Sequence, residues 1–375
     1  MAYPHSRSTY VDLAGGDTHA HAFISDEAFL TALVEFERAL AIVAANAGAL
    51  TEEERDAAVA AIDSFAIDVE AISKASAAGA NPAIPVAKAL KQDGGRGIHI
   101  GATSQDAIDT ALAVCVRRAG QQVLADAARL AEILRDLAVA HRATPMIGRT
   151  LGQQANPTTF GLIAAGWLEG LEMAMEDLEG GVAKLPVQYA GATGTLAATH
   201  PHGIEIHDGL AAELGLAARP LVWHTNRVPF TRVATALAQL AGACRKIAAD
   251  VVFLSATEVG ELREATPGGS SSMPHKANPA AAVAADGYAR RAPGLAATML
   301  DALDSRLQRG VGSWHAEWPT LRELVAVTAS AVARTTASLD GIRVDPDAMV
   351  AHLNDTATQG HALELVDDIL NSRKD

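Results

Sequence analysis

Residues 269–279 read Gly269-Ser270-Ser271-Ser272-Met273-Pro274-His275-Lys276-Ala277-Asn278-Pro279. With Gly268 before them, the glycine and the two prolines exclude a regular helix and predict a mobile loop. The loop combines backbone N–H groups with hydroxyls, an ammonium group and a carboxamide, which bind carboxylates and stabilise an oxyanion. A polar surface loop without such a role is the competing interpretation.

The composition is typical of a globular helical protein. The chain has 375 residues, of which 49% are hydrophobic, 20% charged and only 4% aromatic. Abundant alanine with few aromatics favours closely packed helices over a β-sandwich. The net charge of −14 argues against nucleic-acid or anionic-membrane partners. It leaves a small anionic substrate open, because local cationic groups override the global field.

Cysteine usage and the N-terminal sequence bear on the compartment. Cys115 and Cys244 both fall in predicted helices without metal-ligand spacing, so we expect buried thiols and neither a disulfide framework nor a metal site. The N-terminus lacks a charged segment followed by an apolar one, and no apolar run reaches the length of a membrane span. We therefore expect a soluble cytoplasmic protein.

Apolar residues recur at helical spacing through most of the chain. Phe29, Leu33, Phe36, Leu40 and Val43 alternate in steps of 4 and 3, which predicts one apolar stripe on a helix. Strand signals are nearly absent. Two helices are predicted to be much longer than the mean of about 11–12 residues, which favours an elongated all-α bundle that also contacts other subunits. The predicted helices are 51–64, 106–141, 157–178, 202–214, 231–265, 280–304, 320–339 and 347–372.

A first polar cluster precedes the long helix predicted from Asp106. It reads His99-Ile100-Gly101-Ala102-Thr103-Ser104-Gln105-Asp106. Thr103 and Ser104 would lie at the helix N-terminus, where free N–H groups and the macrodipole attract anions. A plain helix cap would explain the same residues.

Two further clusters combine glycine with polar residues. One reads Gly148-Arg149-Thr150-Leu151-Gly152-Gln153-Gln154-Ala155-Asn156-Pro157. Its guanidinium fork and carboxamides are suited to clamping a carboxylate, although a helix–helix turn with a surface arginine would have the same pattern. The other reads Gly191-Ala192-Thr193-Gly194-Thr195. Because a phosphate loop requires a preceding strand, a tight turn close to a site is the better interpretation.

In order along the chain, these segments resemble the conserved regions of the fumarase/aspartase superfamily. Residues 269–279 match its G-S-S-x-M-P-x-K-x-N-P signature. The resemblance covers roughly residues 20–340 and is strongest to the bacterial 3-carboxy-cis,cis-muconate cycloisomerase branch. The segments that carry the resemblance to that branch are 101–112, 144–150, 159–162, 164–168 and 314–321.

The resemblance implies an all-α fold with a central bundle of long helices between two smaller domains. The boundaries that follow are 1–105, 106–343 and 344–375, the last a short remnant of the family's C-terminal domain. It also implies a homotetramer in which each active site takes residues from three subunits.

The implied chemistry requires neither metal nor cofactor. A proton is transferred beside a carboxylate while a bond at the neighbouring carbon forms or breaks. In the cycloisomerase branch, a carboxylate of 3-carboxy-cis,cis-muconate adds across a double bond and closes 4-carboxymuconolactone, a step of protocatechuate (β-ketoadipate) catabolism. The expected partner is therefore a small anionic di- or tricarboxylate.

The resemblance also assigns roles. Ser270 aligns with the loop serine, a base in the lyase direction and an acid in the lactonising direction. Lys276 would stabilise its alkoxide and, with Asn278, the growing charge on a substrate carboxylate. His99 matches a histidine of adenylosuccinate lyases and is either a proton-transfer group or a structural one. The other expected substrate-binding residues are Thr103, Ser104, Arg149, Thr150, Gln153, Gln154 and Ser271.

Three positions depart from the family patterns. Leu151 stands where fumarases carry histidine, Gln154 where cycloisomerases often carry one, and His315 where a glutamine is expected. These changes leave open a muconate with another 3-substituent, such as a sulfonate. A C–N or C–O lyase that releases fumarate also stays open, although Leu151 argues against it, as does a non-catalytic scaffold. The intact Ser270, Lys276 and Asn278 set argues against the scaffold.

Overall fold

The computed structural model describes residues 14–16, 18–273, 275–353 and 358–372. The helices are α1 (Asp26–Asn46), α2 (Glu52–Asp63), α3 (Val69–Ser76), α4 (Ala83–Gly94), α5 (Ser104–Ala140), α6 (Phe160–Ala183), α7 (Gly203–Leu214), α8 (Val228–Leu254), α9 (Ala280–Ala289), α10 (Ala292–Asp301), α11 (Ser313–Leu339), α12 (Pro346–Ala351) and α13 (Ala362–Asn371). The strands are β1 (Pro145–Thr150), β2 (Gln153–Thr159), β3 (Leu262–Arg263) and β4 (Arg343–Val344). β1 pairs with β2 and β3 with β4, both antiparallel.

The long helices α5, α6, α8 and α11 pack together into a central bundle. Helix α5 alone has 37 residues, and its apolar stripe is buried from Ile108 to Leu134. Gly120 lets α6 approach closely, because a Cβ there would lie 2.7 Å from Val182 Cγ2. The predicted all-α class is confirmed. In the part of the chain that the structure describes, no helix is long and apolar enough to cross a membrane.

Several predicted helices have different limits in the structure, and the helical segment predicted over 347–372 contains two helices, α12 and α13. The helix predicted over 231–265 ends at Leu254, where a turn that closes at Gly260 (φ +63°) leads into β3. The helix predicted over 280–304 is divided into α9 and α10, because Pro293 begins a new helix and lacks the N–H that would continue the old one. Helix α11 begins at Ser313 and contains Pro319, whereas the sequence predicted a start at 320.

The β1–β2 hairpin was not predicted at all. The sequence indicated a helix from residue 157 and no strands in this region, but α6 begins only at Phe160. Leu151 and Gly152 form the turn with φ angles of +52° and +76°, the conformation that a two-residue hairpin of type I′ requires. The strands carry few β-branched residues, so their local signal is weak.

A buried cation joins three long helices. Arg227, 1% exposed, lies directly before α8 and donates to Asp109 of α5 at 2.8 and 3.0 Å. It also donates to Glu317 of α11 at 2.6–3.0 Å, and Trp314 Nε1 donates to Asp109 Oδ1 at 2.9 Å. Trp314 and Glu317 belong to a segment that carries the cycloisomerase resemblance. In this structure their side chains hydrogen-bond to the buried Asp109 and Arg227.

The C-terminal helices pack back onto the bundle. Helix α13 lies against α6, and Arg142 Nε donates to Asp367 Oδ1 at 2.6 Å. Arg135 donates to the Leu370 carbonyl at 3.2 Å. The division at residues 105 and 343 stays a prediction.

Replacing Arg227 with methionine tests the central ion network. The change leaves Asp109 and Glu317 buried without their cation, so we expect the free energy of unfolding to fall by about 3–5 kcal/mol. Burial raises the pKa of Glu317 while Arg227 lowers it. In the variant the pKa of Glu317 would therefore rise further, and the loss of stability should grow as the pH rises through the carboxyl range.

Urea denaturation followed by circular dichroism at acid and neutral pH measures this loss. The matched control is Arg245→Met on α8, which removes a 41% exposed guanidinium paired with Asp286. Exposed pairs contribute about 1 kcal/mol or less, so this variant should stay close to wild type. Equal losses for both variants, or a loss independent of pH, would contradict the role given to Arg227.

Candidate active site

The loop 268–279 is closed at its base by backbone pairing. Gly268 and Asn278 exchange two N–H···O bonds of 2.8 Å, and the Asn278 carboxamide donates to the carbonyls of Gly268 and Gly269 at 3.2 Å. Buried Glu264 accepts from the first N–H groups of α9, those of Ala281 and Ala282. The loop therefore projects from a rigid helix end. Pro274 lies outside the described residues.

Backbone N–H groups within this loop point at the Ser270 hydroxyl. Ser270 Oγ accepts from the N–H of Met273 at 3.1 Å and from that of Ser272 at 3.4 Å. Both contacts would strengthen if the oxygen carried negative charge. Ser271 and Lys276 are exposed on the same loop. The predicted acid–base serine thus lies in an anion-stabilising turn, with an available ammonium group nearby in sequence.

Asp106 joins the first and third polar clusters. Its fully buried carboxylate accepts from the N–H of Thr103 at 3.0 Å, of Ala190 at 3.2 Å and of Gly191 at 3.0 Å. His224 Nε2 lies 2.6 Å from Oδ1 of the same carboxylate. The half-buried Thr103 and Ser104 at the start of α5 are thereby held beside the Gly191 turn. Sequence spacing predicted neither the contact nor His224.

The Asp106 cluster comprises Asp106 and the residues that contact its carboxylate, namely Thr103, Ala190, Gly191 and His224. His99 lies at the edge of this cluster. Its Nδ1 is 2.6 Å from Glu37 Oε1, and its backbone N–H donates to Glu37 Oε2 at 2.7 Å. Burial alone would lower the pKa of His99, but the Glu37 carboxylate outweighs burial and raises it. Lys91 opposes this rise and Asp106 adds to it. The ring therefore remains protonated to higher pH than an ordinary histidine.

Arg309 is a cation that no sequence motif indicated. Its guanidinium is half-buried and donates to the Gly191 carbonyl at 2.9 Å, beside the Asp106 cluster. Burial lowers the pKa of Arg309, with Asp106 and Asp109 opposing. None of the ion pairs between described residues includes it. A desolvated guanidinium without a carboxylate partner is suited to binding an anion. The only sequence signal was an arginine in the polar segment before α11.

The hairpin places Arg149 against a carboxylate of its own chain. Its guanidinium donates to both oxygens of buried Glu261, at 2.9 and 2.6 Å, and lies 5.6 Å from the Phe253 ring centroid. His352 Nδ1 lies 2.8 Å from the same carboxylate. The fork predicted to clamp a substrate carboxylate is therefore occupied by Glu261 here. Its role in substrate binding stays a prediction.

The tip of the same hairpin carries exposed polar side chains. Thr150, Gln153 and Gln154 are all exposed, and Gln153 Nε2 donates to the Gly152 carbonyl at 3.2 Å. Leu151 projects fully into solvent at the turn. Contact of these polar residues with substrate stays a prediction.

Within one chain, the predicted residues form separate groups. His99, Thr103 and Ser104 lie at or just before the start of α5, and Arg309 joins them through the Gly191 carbonyl, whereas Ser270 and Lys276 lie on the 268–279 loop and Gln153 and Gln154 on the hairpin tip. The Nε2 atom of His315 lies 3.1 Å from the Ala80 carbonyl oxygen. Within the described ranges, no group of three or more His, Cys, Asp or Glu side chains is placed to hold a metal ion.

Comparisons with known proteins place this geometry in a family. A family model described as lyase matches residues 19–294. Nitrosuccinate lyase from Streptomyces davaonensis is 42% identical over 360 residues, covering 91% of this chain and 76% of that protein. A 3-carboxy-cis,cis-muconate cycloisomerase from Pseudomonas aeruginosa is 38% identical over 359 residues, covering 93% and 77%.

Solved structures agree with these sequence matches. The 3-carboxy-cis,cis-muconate lactonizing enzyme from Pseudomonas putida has a TM-score of 0.83 at 32% identity, covering 96% of this chain and 86% of that one. A fumarate lyase from Mesorhizobium has a TM-score of 0.84 at 28% identity, with the same coverage of 96% and 86%. Because the family model and the relatives cover most of its length, the chain belongs to the lyase family of the fumarase/aspartase superfamily and is one of its enzymes.

Proposed function

We propose that this enzyme is a cofactor-independent cycloisomerase that converts 3-carboxy-cis,cis-muconate into 4-carboxymuconolactone. The proposal rests on the position of the Ser270 hydroxyl, which accepts hydrogen bonds from two backbone N–H groups in a loop that also bears Lys276. Relatives named as this cycloisomerase are 38% and 39% identical to the chain. The reaction needs a group that exchanges a proton with carbon and donors that stabilise an anion, and the loop supplies both.

The electron movements follow from these groups. One substrate carboxylate forms a C–O bond to a double-bond carbon, and the π electrons move onto the neighbouring carboxyl as an aci-carboxylate. The Ser270 O–H bond then breaks, its proton goes to carbon, and the alkoxide is stabilised by the loop N–H groups and Lys276. Each preorganised donor aimed at developing charge typically contributes about 10²–10³ in rate.

The remaining substrate carboxylates need cationic or N–H partners, because the chain as a whole is strongly acidic. The N-terminus of α5 offers Thr103 and Ser104, and the adjacent Arg309 offers a guanidinium. The hairpin tip offers Thr150, Gln153 and Gln154. Since these groups are separate in one chain, we propose that they meet across subunits of a homotetramer. Exposed apolar side chains at Leu151, Val283 and Leu300 support further subunit contacts.

A C–N lyase acting on nitrosuccinate is a second candidate. The named nitrosuccinate lyase is 42% identical to this chain, and Leu151 and Gln154 supply no titrating group at the hairpin tip. In such a reaction Ser270 removes a proton from carbon, the C–N bond breaks, and nitrite leaves with the electron pair to give fumarate. Nitrite is a weak base that leaves without an acid, so the absence of a histidine at residues 151 and 154 fits this candidate.

Parallel assays of the two acids test both candidates. Purified enzyme in EDTA is given 3-carboxy-cis,cis-muconate, followed by loss of diene absorbance, or nitrosuccinate, followed by nitrite release. We expect turnover of the muconate, and Ser270→Ala should lower kcat by about 10³-fold or more because the proton-transfer group is lost.

The matched control is Ser272→Ala, which retains the backbone N–H that Ser270 accepts and should keep near wild-type kcat. Turnover of nitrosuccinate alone would replace the first candidate with the second. Turnover of neither acid by a folded enzyme would overturn both, and a fully active Ser270→Ala would overturn the assigned role.

Arg309→Gln tests the guanidinium as a substrate anchor. Losing a charge-assisted hydrogen bond of roughly 1.5–3 kcal/mol should lower kcat/KM by about 10- to 10²-fold, mainly through KM. Arg306→Gln, in the same segment but exposed, is the control and should change little. Unchanged kcat/KM in the first variant, or equal losses in both, would contradict the assignment.

Mixed oligomers test the shared site. Light scattering should give a tetramer, and co-expression of Ser270→Ala with Arg309→Gln should give a kcat/KM above that of either variant alone. Recovery follows because some sites combine an intact Ser270 from one subunit with an intact Arg309 from another. An active monomer, or mixed oligomers without recovery, would contradict a site formed between subunits.

A further inference from the structure

Glu37 is a buried carboxylate that the roles assigned above do not use. It lies on α1, is 1% exposed, and is surrounded by apolar residues of that helix. Burying an unpaired carboxylate is costly, so its hydrogen-bond partners indicate its purpose. Within the described part of the chain, its two oxygens contact the backbone N–H and the ring nitrogen of His99, 62 positions away in the sequence.

The two contacts fix the backbone and the ring of His99 together. His99 has φ +58°, a left-handed conformation that costs a non-glycine residue about 1 kcal/mol or more. Its N–H donates to Glu37 Oε2 at 2.7 Å, and its Nδ1 lies 2.6 Å from Glu37 Oε1. One carboxylate therefore holds both the strained backbone and the orientation of the imidazole.

This arrangement determines which ring nitrogen is available. Because a carboxylate only accepts, Nδ1 carries the proton that is donated to Glu37. Nε2 makes no hydrogen bond with the part of the chain that the structure describes, and it is not fully buried. The side chain is 14% exposed. Nε2 is thus the nitrogen of the Glu37–His99 pair that is available to another group.

The segment that leads from His99 to the Asp106 cluster is tightly packed. The Ile100 carbonyl accepts from the Tyr189 hydroxyl at 3.0 Å. Gly101 (φ +67°) packs so tightly that a Cβ would lie 2.5 Å from Thr199 Cγ2 and 2.6 Å from the Tyr189 hydroxyl. Little freedom remains between His99 and the residues proposed to bind substrate.

We infer that Glu37 is the positioning residue of a proton-transfer pair in which His99 exchanges protons through Nε2. The inference rests on the proposed function. In the lactonising direction the Nε2–H bond of the imidazolium breaks, and its proton restores Ser270 after that hydroxyl has protonated carbon. The imidazole becomes neutral and regains a proton from water, which accounts for the single proton that lactone formation consumes.

The electrostatic surroundings agree with a group kept charged near neutrality. Glu37 on α1 and Asp106 on α5 favour the imidazolium, whereas burial and Lys91 on α4 oppose it, and the pKa of His99 is raised. A donor of this kind is active below its pKa. The kcat/KM for lactonisation should therefore fall as the pH rises through the pKa of His99 in the free enzyme.

Glu37→Gln tests the pair. A carboxamide has one acceptor oxygen for two donors and no charge, so the pKa of His99 should fall and the decline of kcat/KM should begin at lower pH. At neutral pH we expect a loss of about 10²-fold or more. Glu37→Asp keeps the charge and should recover much of the activity and the pH profile.

Two independent measurements are compared. The first is the pH profile of kcat/KM with 3-carboxy-cis,cis-muconate. The second is the pH dependence of His99 carbethoxylation by diethyl pyrocarbonate, read by peptide mass spectrometry, since only neutral imidazole reacts. The matched control is Glu35→Gln on the same helix, which removes a partly exposed ion pair with Arg118 and should leave both measurements unchanged.

The outcomes separate this inference from the proposed function. Parallel shifts of both profiles in Glu37→Gln support the pair. A shift in carbethoxylation without a shift in kcat/KM, or no shift in either, overturns it. In a His99→Gln background, Glu37→Gln should cause no further loss of activity, and additive losses would also overturn it. Absent turnover by wild-type enzyme counts instead against the proposed function.

Discussion

The bundle depends on one buried cation. Arg227 lies between Asp109 and Glu317 with almost no solvent contact. Helices α5, α8 and α11 therefore meet where two buried carboxylates need this guanidinium as their partner. Asp106 stands three residues before Asp109, on the same face of α5, and its carboxylate holds the backbone of the Gly191 turn. The core and the proposed anion-binding cluster are thus parts of one polar layer, and a shift of α5 would disturb both.

Two other buried carboxylates hold polar groups in the same manner. Glu37 fixes His99 from α1, and Glu261, directly before β3, fixes Arg149. Each lies in the scaffold and contacts a residue that sequence motifs single out. Glu37 leaves one imidazole nitrogen open, whereas Glu261 occupies the whole guanidinium fork. The contact with Glu261 therefore anchors the hairpin through Arg149, whereas the contact with Glu37 uses only one of the two ring nitrogens of His99.

The sequence predicted what is encoded locally and missed what is encoded by distant contacts. The long helices followed from apolar spacing, and the 269–279 loop followed from glycine, proline and a specific motif. The hairpin was missed because segment 153–156 has no β-branched residue, and its turn depends on Leu151 accepting a positive φ. The partners of His99 and Arg149 lie 62 and 112 positions away, so no local pattern predicts them.

The placement of Arg227 also orders events on the ribosome. Synthesis produces Asp109 first, the arginine 118 positions later and Glu317 a further 90 positions later, so a nascent chain holds an incomplete set of charges until α11 emerges. Until then the α5–α8 contact contains an arginine fork with unpaired N–H groups, which favours continued hydration of that interface. Closure of the bundle with exclusion of water is thereby delayed until α11 has been made.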